Sequence, residues 1–400
     1  MKKITALLLA MLMVFALCAC GNEAPASDDA AADDTAATIK AGLVCLHDEN
    51  SGYDKNFIDA FKAACDACGV EYVIKTNVAE DQAAYDAAAE LADAGCNVIF
   101  ADSYGHQQYI FQAAQEFEDV QFTSCTGDMA LASEQENYHN AFATIFQGRY
   151  LAGVAAGMKL NEMIENGDIT EDQAKMGYVG AMPYAEVISG YTSFYLGAKS
   201  VCPSVTMDVV YTGSWYDETL EMEGAKSLIE GGCVLISQHA DSMGAPNACQ
   251  EAGVPNVSYN GSTQEACPDS YIISSRINWQ PYFEYAIGCV QKGENYDTDW
   301  TGTLATDSVL LTELNESVAA EGTADKMAEV EAGLKDGSIK VFDTATFTYE
   351  GKTLDSYEAN VVPDESFAPD TEVVADGEFS ESTFRSAPYF DIIIDGITLK

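Results

Sequence analysis

Positive charge is what this chain has least of: 19 Lys and Arg stand against 64 Asp and Glu, a formal net charge of −45. Such a surface repels nucleic acid and anionic lipid. No nucleic-acid partner is expected, and a strongly anionic solute would need a local cationic site. Histidine is scarce too, with His47, His106, His139 and His239 the full complement. No Gly-x-x-x-x-Gly-Lys-Ser/Thr run is there to cradle phosphate, no His-Glu-x-x-His to hold zinc, and no Gly-x-Ser-x-Gly elbow to carry a nucleophile. A Ser-His-Asp triad assembled in space stays open, but no local pattern marks one, so no catalytic residue, metal ligand or cofactor is assigned. Beyond the amino-terminal segment, no stretch reaches the ~18 uninterrupted apolar residues that a membrane helix needs.

What is there is the composition of a large globular body, 48% hydrophobic and 21% charged over 400 residues, enough for two domains of roughly 100–200 residues plus extras. Residues 1–20 carry Lys2-Lys3, an apolar run from Ile4 to Leu17, and then Cys18-Ala19-Cys20-Gly21. The run is too short to span a membrane and reads as an export signal. Leu17-Cys18-Ala19-Cys20 resembles the bacterial lipobox, which implies cleavage before Cys20 and lipidation of that residue; a simple secretory signal is the alternative. Residues 21–38 are mostly Ala, Asp, Ser and Thr, with almost nothing to bury, and read as a solvated tether. Of the ten cysteines that follow, Cys65 and Cys68 lie on an expected helix with no second metal-spaced pair. Small buried hydrophobes are the role that fits them.

The folded body starts near Ile39, and residues 41–77 form a complete unit. Ala41 to Leu46 is an apolar run without alternation, suited to a strand buried on both faces of a parallel sheet. Phe57, Phe61, Ala64 and Cys68 mark one helical stripe, stopped by Gly69, and Glu71 to Thr76 is the next strand. The plan then repeats: a helix from about Asp81 to Ala94, a strand at Val98 to Ala101, and a further helix and strand to Thr123. Ala141 to Phe146 is expected to cross into a second half, with a helix over Gly148 to Glu165, strands at Met176 to Gly180 and Met207 to Thr212, and a helix over Val187 to Ser200 between them. Gly95 to Ser103 echoes Gly232 to Ser242 in sequence. Val254 to Asn260 and Tyr271 to Ile277 read as further strands, the second crossing back. The fold class is therefore α/β, with two Rossmann-like lobes: 39–140, rejoined by about 276–310, and 141–275. Residues 311–400 form an extension packing on the hinge, with a helix over Asp325 to Leu334 and a strand-like Ile339 to Tyr349.

Five short runs add a resemblance: His47-Asp48-Glu49 with Tyr53-Asp54-Lys55-Asn56-Phe57; Phe146 to Gly153; Gly213-Ser214-Trp215-Tyr216-Asp217; Gln238 to Ser242; and Asn278-Trp279-Gln280-Pro281-Tyr282. In order and spread over about residues 40–300, they resemble the basic membrane protein (BMP) family of solute-binding lipoproteins that serve ABC importers. That resemblance implies a type I periplasmic-binding-protein fold with a hinge of several crossing segments, and a ligand that is a purine base or nucleoside. It also implies a permease partner, a monomer, and a place on the outer face of a bacterial membrane, held by lipid.

A purine offers two flat faces and a polar rim, so a site for it needs aromatics and hydrogen-bonding groups. Loops leaving the carboxyl ends of parallel strands line the crevice, so Asp48, Glu49, Ser51, Tyr53 and Asp54 after the first strand inherit that position. On that basis Phe57 and Trp215 are expected on the faces, with Tyr53, Tyr104 and Trp279 as further aromatics. Asp48, Asp241 and Asn260 are expected on the edge, with Ser103 and Asn278 adding neutral hydrogen bonds. The chain departs from the nucleoside-binding pattern at Asn56-Phe57-Ile58, at Ser258-Tyr259-Asn260, and in lacking the later strand lysine around Arg276, so a free base fits at least as well as a nucleoside. A sugar, autoinducer or sensory binder on the same scaffold is the alternative, and a lipoprotein hydrolase the remoter one.

Overall fold

The computed structural model describes residues 39–362 and 368–400. The export signal, the tether and Cys20 lie outside the described residues. Among those described, no helix is long and apolar enough to cross a membrane.

The first half alternates strand and helix: β1 (Lys40–Val44), α1 (Gly52–Cys68), β2 (Glu71–Lys75), α2 (Gln82–Asp93), β3 (Val98–Ala101), α3 (Gln107–Glu116), β4 (Gln121–Cys125), the single turn α4 (Ala130–Ser133) and β5 (Tyr138–Ala143). The second half continues with α5 (Ile145–Glu165), β6 (Lys175–Gly180), α6 (Ala185–Val201), β7 (Thr206–Tyr211), α7 (Glu218–Glu230), β8 (Leu235–His239), α8 (Gly244–Ala252), β9 (Asn256–Tyr259) and β10 (Tyr271–Ile277). The chain then returns through α9 (Gln280–Lys292) to β11 (Asp299–Gly302) and goes back to β12 (Val309–Leu311) and α10 (Thr323–Asp336).

Two sheets result. The first runs β11-β5-β4-β3-β1-β2 and is parallel throughout; the second runs β12-β10-β9-β8-β6-β7, with only β12 antiparallel. β11 belongs to the first sheet although it follows β10 of the second, so the connection between lobes is made of several crossings. Strands β1 and β3 are buried almost end to end, as their unbroken apolar runs require. Helix α1 ends where expected, on Gly69 in the left-handed region at φ 66°.

Beyond α10 the chain makes two small hairpins, β13 (Glu358–Ala359) with β14 (Thr371–Glu372) and β15 (Val374–Ala375) with β16 (Glu378–Phe379); β17 (Ile397–Leu399) then joins the edge of the second sheet beside β7. The strand-like segment Ile339 to Tyr349 is corrected: it makes only isolated bridges, Asp343 with Glu378 and Tyr349 with Lys352. Asp343 accepts the amide of Ala345 and turns the chain there. Phe342 and Phe347 are buried all the same, which is why the run looks apolar.

Candidate functional site

In each sheet the strand order reverses once, between β1 and β3 in the first and between β6 and β8 in the second. At such a switch point the loops from neighbouring strands diverge and leave a crevice. A cavity lies where the two crevices meet. The first lobe lines it with Leu46 and His47 after β1, Ser103 and Tyr104 after β3, Thr126 after β4, and Tyr53 and Asp54 from α1. The second lobe supplies Glu186 at the start of α6, Trp215 after β7, and His239 and Asp241 at the end of β8.

The lobes touch around it. The Gly52 amide faces the Asp241 carbonyl at 3.4 Å, Asn56 Nδ2 donates to the Asn260 carbonyl at 2.8 Å, and the rings of Tyr104 and Tyr184 lie 5.7 Å apart. The space between the lining atoms is about 380 Å3, of which only about 20 Å3 admits the centre of a water molecule. This is a closed arrangement with its walls drawn together. A second, open chamber, in which about 510 Å3 admits the centre of a water molecule, adjoins it through Asp241 and carries Asn56, Asn260, Arg276 and Asn278.

Of the residues singled out in the sequence, Tyr53, Ser103, Tyr104, Trp215 and Asp241 line the closed cavity. The Tyr53 hydroxyl donates to the Asp102 carbonyl at 2.5 Å, and the Ser103 hydroxyl donates to Glu80 at 2.5 Å. Asp241 accepts from Asn260 Nδ2 at 3.2 Å. Removal from water pushes the Asp241 carboxyl well above the usual range, and the nearby Asp54, Glu221 and Glu186 add to that. Asn260 and Asn278 face the open chamber instead, with Asn278 donating to the Asp307 carbonyl at 3.0 Å.

Three residues lie elsewhere, and their expected places are revised. Phe57 is fully buried, stacked on Trp279 with ring centroids 4.4 Å apart, and neither ring lines either chamber. They fasten α1 to the start of α9. Asp48 holds its own loop, accepting from the Asn50 amide at 3.0 Å and lying 3.4 Å from Asn77 Nδ2. The Asn50 and Asn77 contacts keep that carboxylate below its usual range.

The cavity's acidic edge is Asp241 together with Asp54, expected in the crevice loop but given no contact with ligand, and Glu186, which was not singled out. Glu186 lies 3.4 Å from Nε2 of His239, a ring that burial keeps neutral. Behind His239, the buried Arg149 lies over the Tyr259 ring at 4.2 Å and donates to the Gln238 carbonyl at 3.1 Å. A signal for Asp54 was in the sequence: Ser51-Gly52-Tyr53-Asp54 is a Ser-x-x-Asp helix start. The Ser51 hydroxyl does accept the Asp54 amide, at 3.2 Å. The helix thus begins five residues before Phe57, so Tyr53 and Asp54 lie in its first turn at the cavity, and Phe57 sits one turn deeper, packed on Tyr53 and Trp279.

Residues 46–341 match the Bmp family, described as ABC transporter substrate-binding protein PnrA-like. The chain belongs to that family. Its members bind solutes and are not enzymes, and they work outside the cytoplasm. Among curated relatives, the Purine-binding protein BAB2_0673 of Brucella abortus is 31% identical over 248 residues, 61% of this chain and 67% of its own. The Haloferax volcanii relative named "Putative ABC transporter glucose-binding protein TsgA13" is 29% identical over 262 residues, 65% of this chain. The chain spans 63% of that relative's length. Among solved structures, the solute-binding protein of an ABC transporter system from Aeropyrum pernix K1 superposes with a TM-score of 0.64 at 17% identity, covering 76% of this chain and 93% of its own. One from Conexibacter woesei reaches 0.61 at 20% identity, covering 76% and 98%. These establish the two-lobed solute-binding fold.

Proposed function

We propose that this member of the family captures a purine base or nucleoside in the closed cavity and delivers it to the permease of an ABC importer. The observation that carries the reading is the cavity's composition. Three aromatic rings, Tyr53, Tyr104 and Trp215, stand around a rim of carboxylates, Asp54, Glu186 and Asp241, at the junction of both switch points. A flat heterocycle stacks on such rings, worth about 1–3 kcal/mol per base. Its amino and ring N–H groups meet acceptors, and a buried acceptor selects against ligands that lack the matching donor. The purine-binding relative supports the same class. The closed walls imply that ligand enters when the lobes part and stabilises the closed form by its differential affinity for it. In this reading the protein is a monomer, and Cys20, outside the described residues, carries the lipid that holds it to the outer face of the membrane.

A sugar is the second reading, favoured by the glucose-binding relative and by the open polar chamber next to the cavity. Mass spectrometry of ligand released from the purified protein, followed by competition among adenine, guanosine and glucose, separates the two. Purines are expected to compete, and Trp215→Ala to weaken all of them by about 1–3 kcal/mol. Displacement by glucose but by neither purine would replace this reading with the second.

A further inference from the structure

Behind the cavity wall, two acids meet with no cation between them. Asp54, in the first turn of α1, and Asp102, the residue after β3, both have fully buried side chains. Each has one carboxylate oxygen satisfied by the β1–α1 loop: the His47 amide donates to Asp54 Oδ1 at 2.7 Å and the Leu46 amide to Asp102 Oδ1 at 3.0 Å. The other oxygen of each, Oδ2, is buried without a hydrogen bond from any donor group. Carboxylate oxygens of the two residues and the Cys45 sulfur all lie within 4.8 Å of one another.

No Lys or Arg among the described residues lies within ion-pair distance of either acid; the only basic groups there are two histidines. His47 Nδ1 is 3.4 Å from Asp54 Oδ2, in a geometry that leaves both atoms without a hydrogen bond. His106 Nδ1 is 3.9 Å from Asp102 Oδ1, while its Nε2 faces the Val78 carbonyl at 2.8 Å. That second contact requires a proton on Nε2, so Nδ1 of the neutral ring is a lone pair and does nothing for a carboxylate. The other titratable neighbours are the thiols of Cys45 and Cys125 and the Tyr53 phenol beside Asp102, and Asp241 and Glu186 across the cavity. None supplies positive charge.

Two desolvated carboxylates side by side cannot both ionise, and they titrate as a pair. We propose that Asp54 and Asp102 share one proton, carried on Asp102 and donated to Asp54, so that Asp54 is the anion presented to the ligand's donor edge and Asp102 is the residue that positions it. One hydrogen bond then satisfies both orphaned oxygens. The asymmetry agrees with the surroundings. Burial first, and the Asp54 charge second, drive the Asp102 carboxyl well above the usual range. Burial would raise Asp54 as well, but its contacts with His47, Asp102 and Ser51 outweigh it and hold that group below its usual value. Asp54 lines the cavity and Asp102 does not, so the charge sits on the member that meets ligand. The inference rests on the reading of the cavity as the ligand site.

The test uses the folded full-length protein, with thermal stability checked for each variant. Asp102→Asn keeps a permanent donor where the proton was. Adenine binding is expected to stay within about threefold of the parent at pH 7. The parent's affinity is expected to fall at alkaline pH, where the second proton leaves and the carboxylates repel, and this fall is expected to vanish in Asp102→Asn. Asp102→Ala, which leaves Asp54 without its donor, is expected to bind about tenfold or more weakly. A readout without ligand is the infrared C=O band of a protonated carboxyl at pH 7.5, expected in the parent-minus-Asp102→Asn difference spectrum. A flat difference spectrum, an alkaline fall that persists in Asp102→Asn, or one metal ion per chain bound at Cys45, Asp54 and Asp102 would overturn the shared proton. If the parent binds neither adenine nor guanosine, the purine reading fails alone, and the spectrum still decides the pair.

Discussion

Phe57 and Trp215 look alike in the sequence, each a large aromatic beside an expected loop, yet the structure gives them opposite surroundings. Phe57 is fully buried against Trp279, Phe283 and Tyr53, whereas Trp215 is half-buried on the cavity wall. The loop and the buried stripe of the helix were legible, since Phe57, Phe61 and Ala64 are all fully buried, but the start of the helix at Gly52 was not. Phe57 lies one turn beyond Tyr53 on the same face, so starting the helix near Phe57 rather than at Gly52 set Phe57 at the cavity mouth that Tyr53 and Asp54 occupy. The pairing of Asp54 with Asp102 joins residues 48 apart and leaves no mark in either local stretch. Truncation should separate the two aromatics. Phe57→Ala is expected to cost about 3–5 kcal/mol of stability in denaturant titration, as an emptied core site does. Trp215→Ala is expected to cost about 1 kcal/mol or less and to lose ligand affinity instead. A stable Phe57→Ala protein with weakened binding would return Phe57 to the ligand site.

At the scale of elements, most strands and helices were legible because parallel strands read as unbroken apolar runs and helices carry a stripe. The packing of α5 on α6 was not, since glycine spacing says nothing about which partner approaches. A Cβ at Gly153 would lie 2.0 Å from the Phe194 carbonyl oxygen, and one at Gly197 would lie 2.0 Å from that of Tyr150. The two helices therefore meet backbone to backbone, and this fixes α6, whose first turn carries Glu186 into the cavity. Alanine in place of a helical glycine ordinarily gains up to ~1 kcal/mol. At Gly197 the clash is with a backbone that cannot rotate away, so Gly197→Ala is expected to lose about 1–3 kcal/mol. Gly288, in α9, has open space around its Cβ position, and Gly288→Ala is expected to show the ordinary gain. Equal effects of the two substitutions on the denaturation midpoint would remove the argument for close approach.

Across the whole molecule, the part least legible in the sequence was the stretch after residue 341, where the family match ends. It is acidic and Pro-containing and has no periodic pattern, yet it makes contacts with both lobes. Its core is the stack of Phe342 on Phe390, with Phe379 set edge-on. Toward the first lobe, the Ser386 amide and hydroxyl donate to Asp299 at 2.6 and 2.5 Å, and Arg385 lies 3.6 Å from Asp128. Toward the second, β17 extends the sheet beside β7, and Ser189 of α6 donates to Glu381.

Glu381 makes this tie sensitive to pH. Burial pushes its carboxyl up to about 7, with Glu186 adding to the effect, against hydrogen bonds from Ser189 and Ser382 and the charge of Arg385. Above the unfolded value the folded state then binds more protons than the unfolded one, so stability falls as pH rises. The contribution is complete below about pH 4.5 and is lost as pH passes through about 7. A shift of this size corresponds to roughly 3 kcal/mol by pH 8. Glu381→Gln keeps an acceptor for Ser189 and removes the titration. Denaturant stability measured from pH 5 to 8 should therefore fall less steeply in Glu381→Gln than in the parent, with the variant the more stable of the two at pH 8. Parallel curves for the two proteins would mean that Glu381 is ionised throughout and that this tie does not respond to pH.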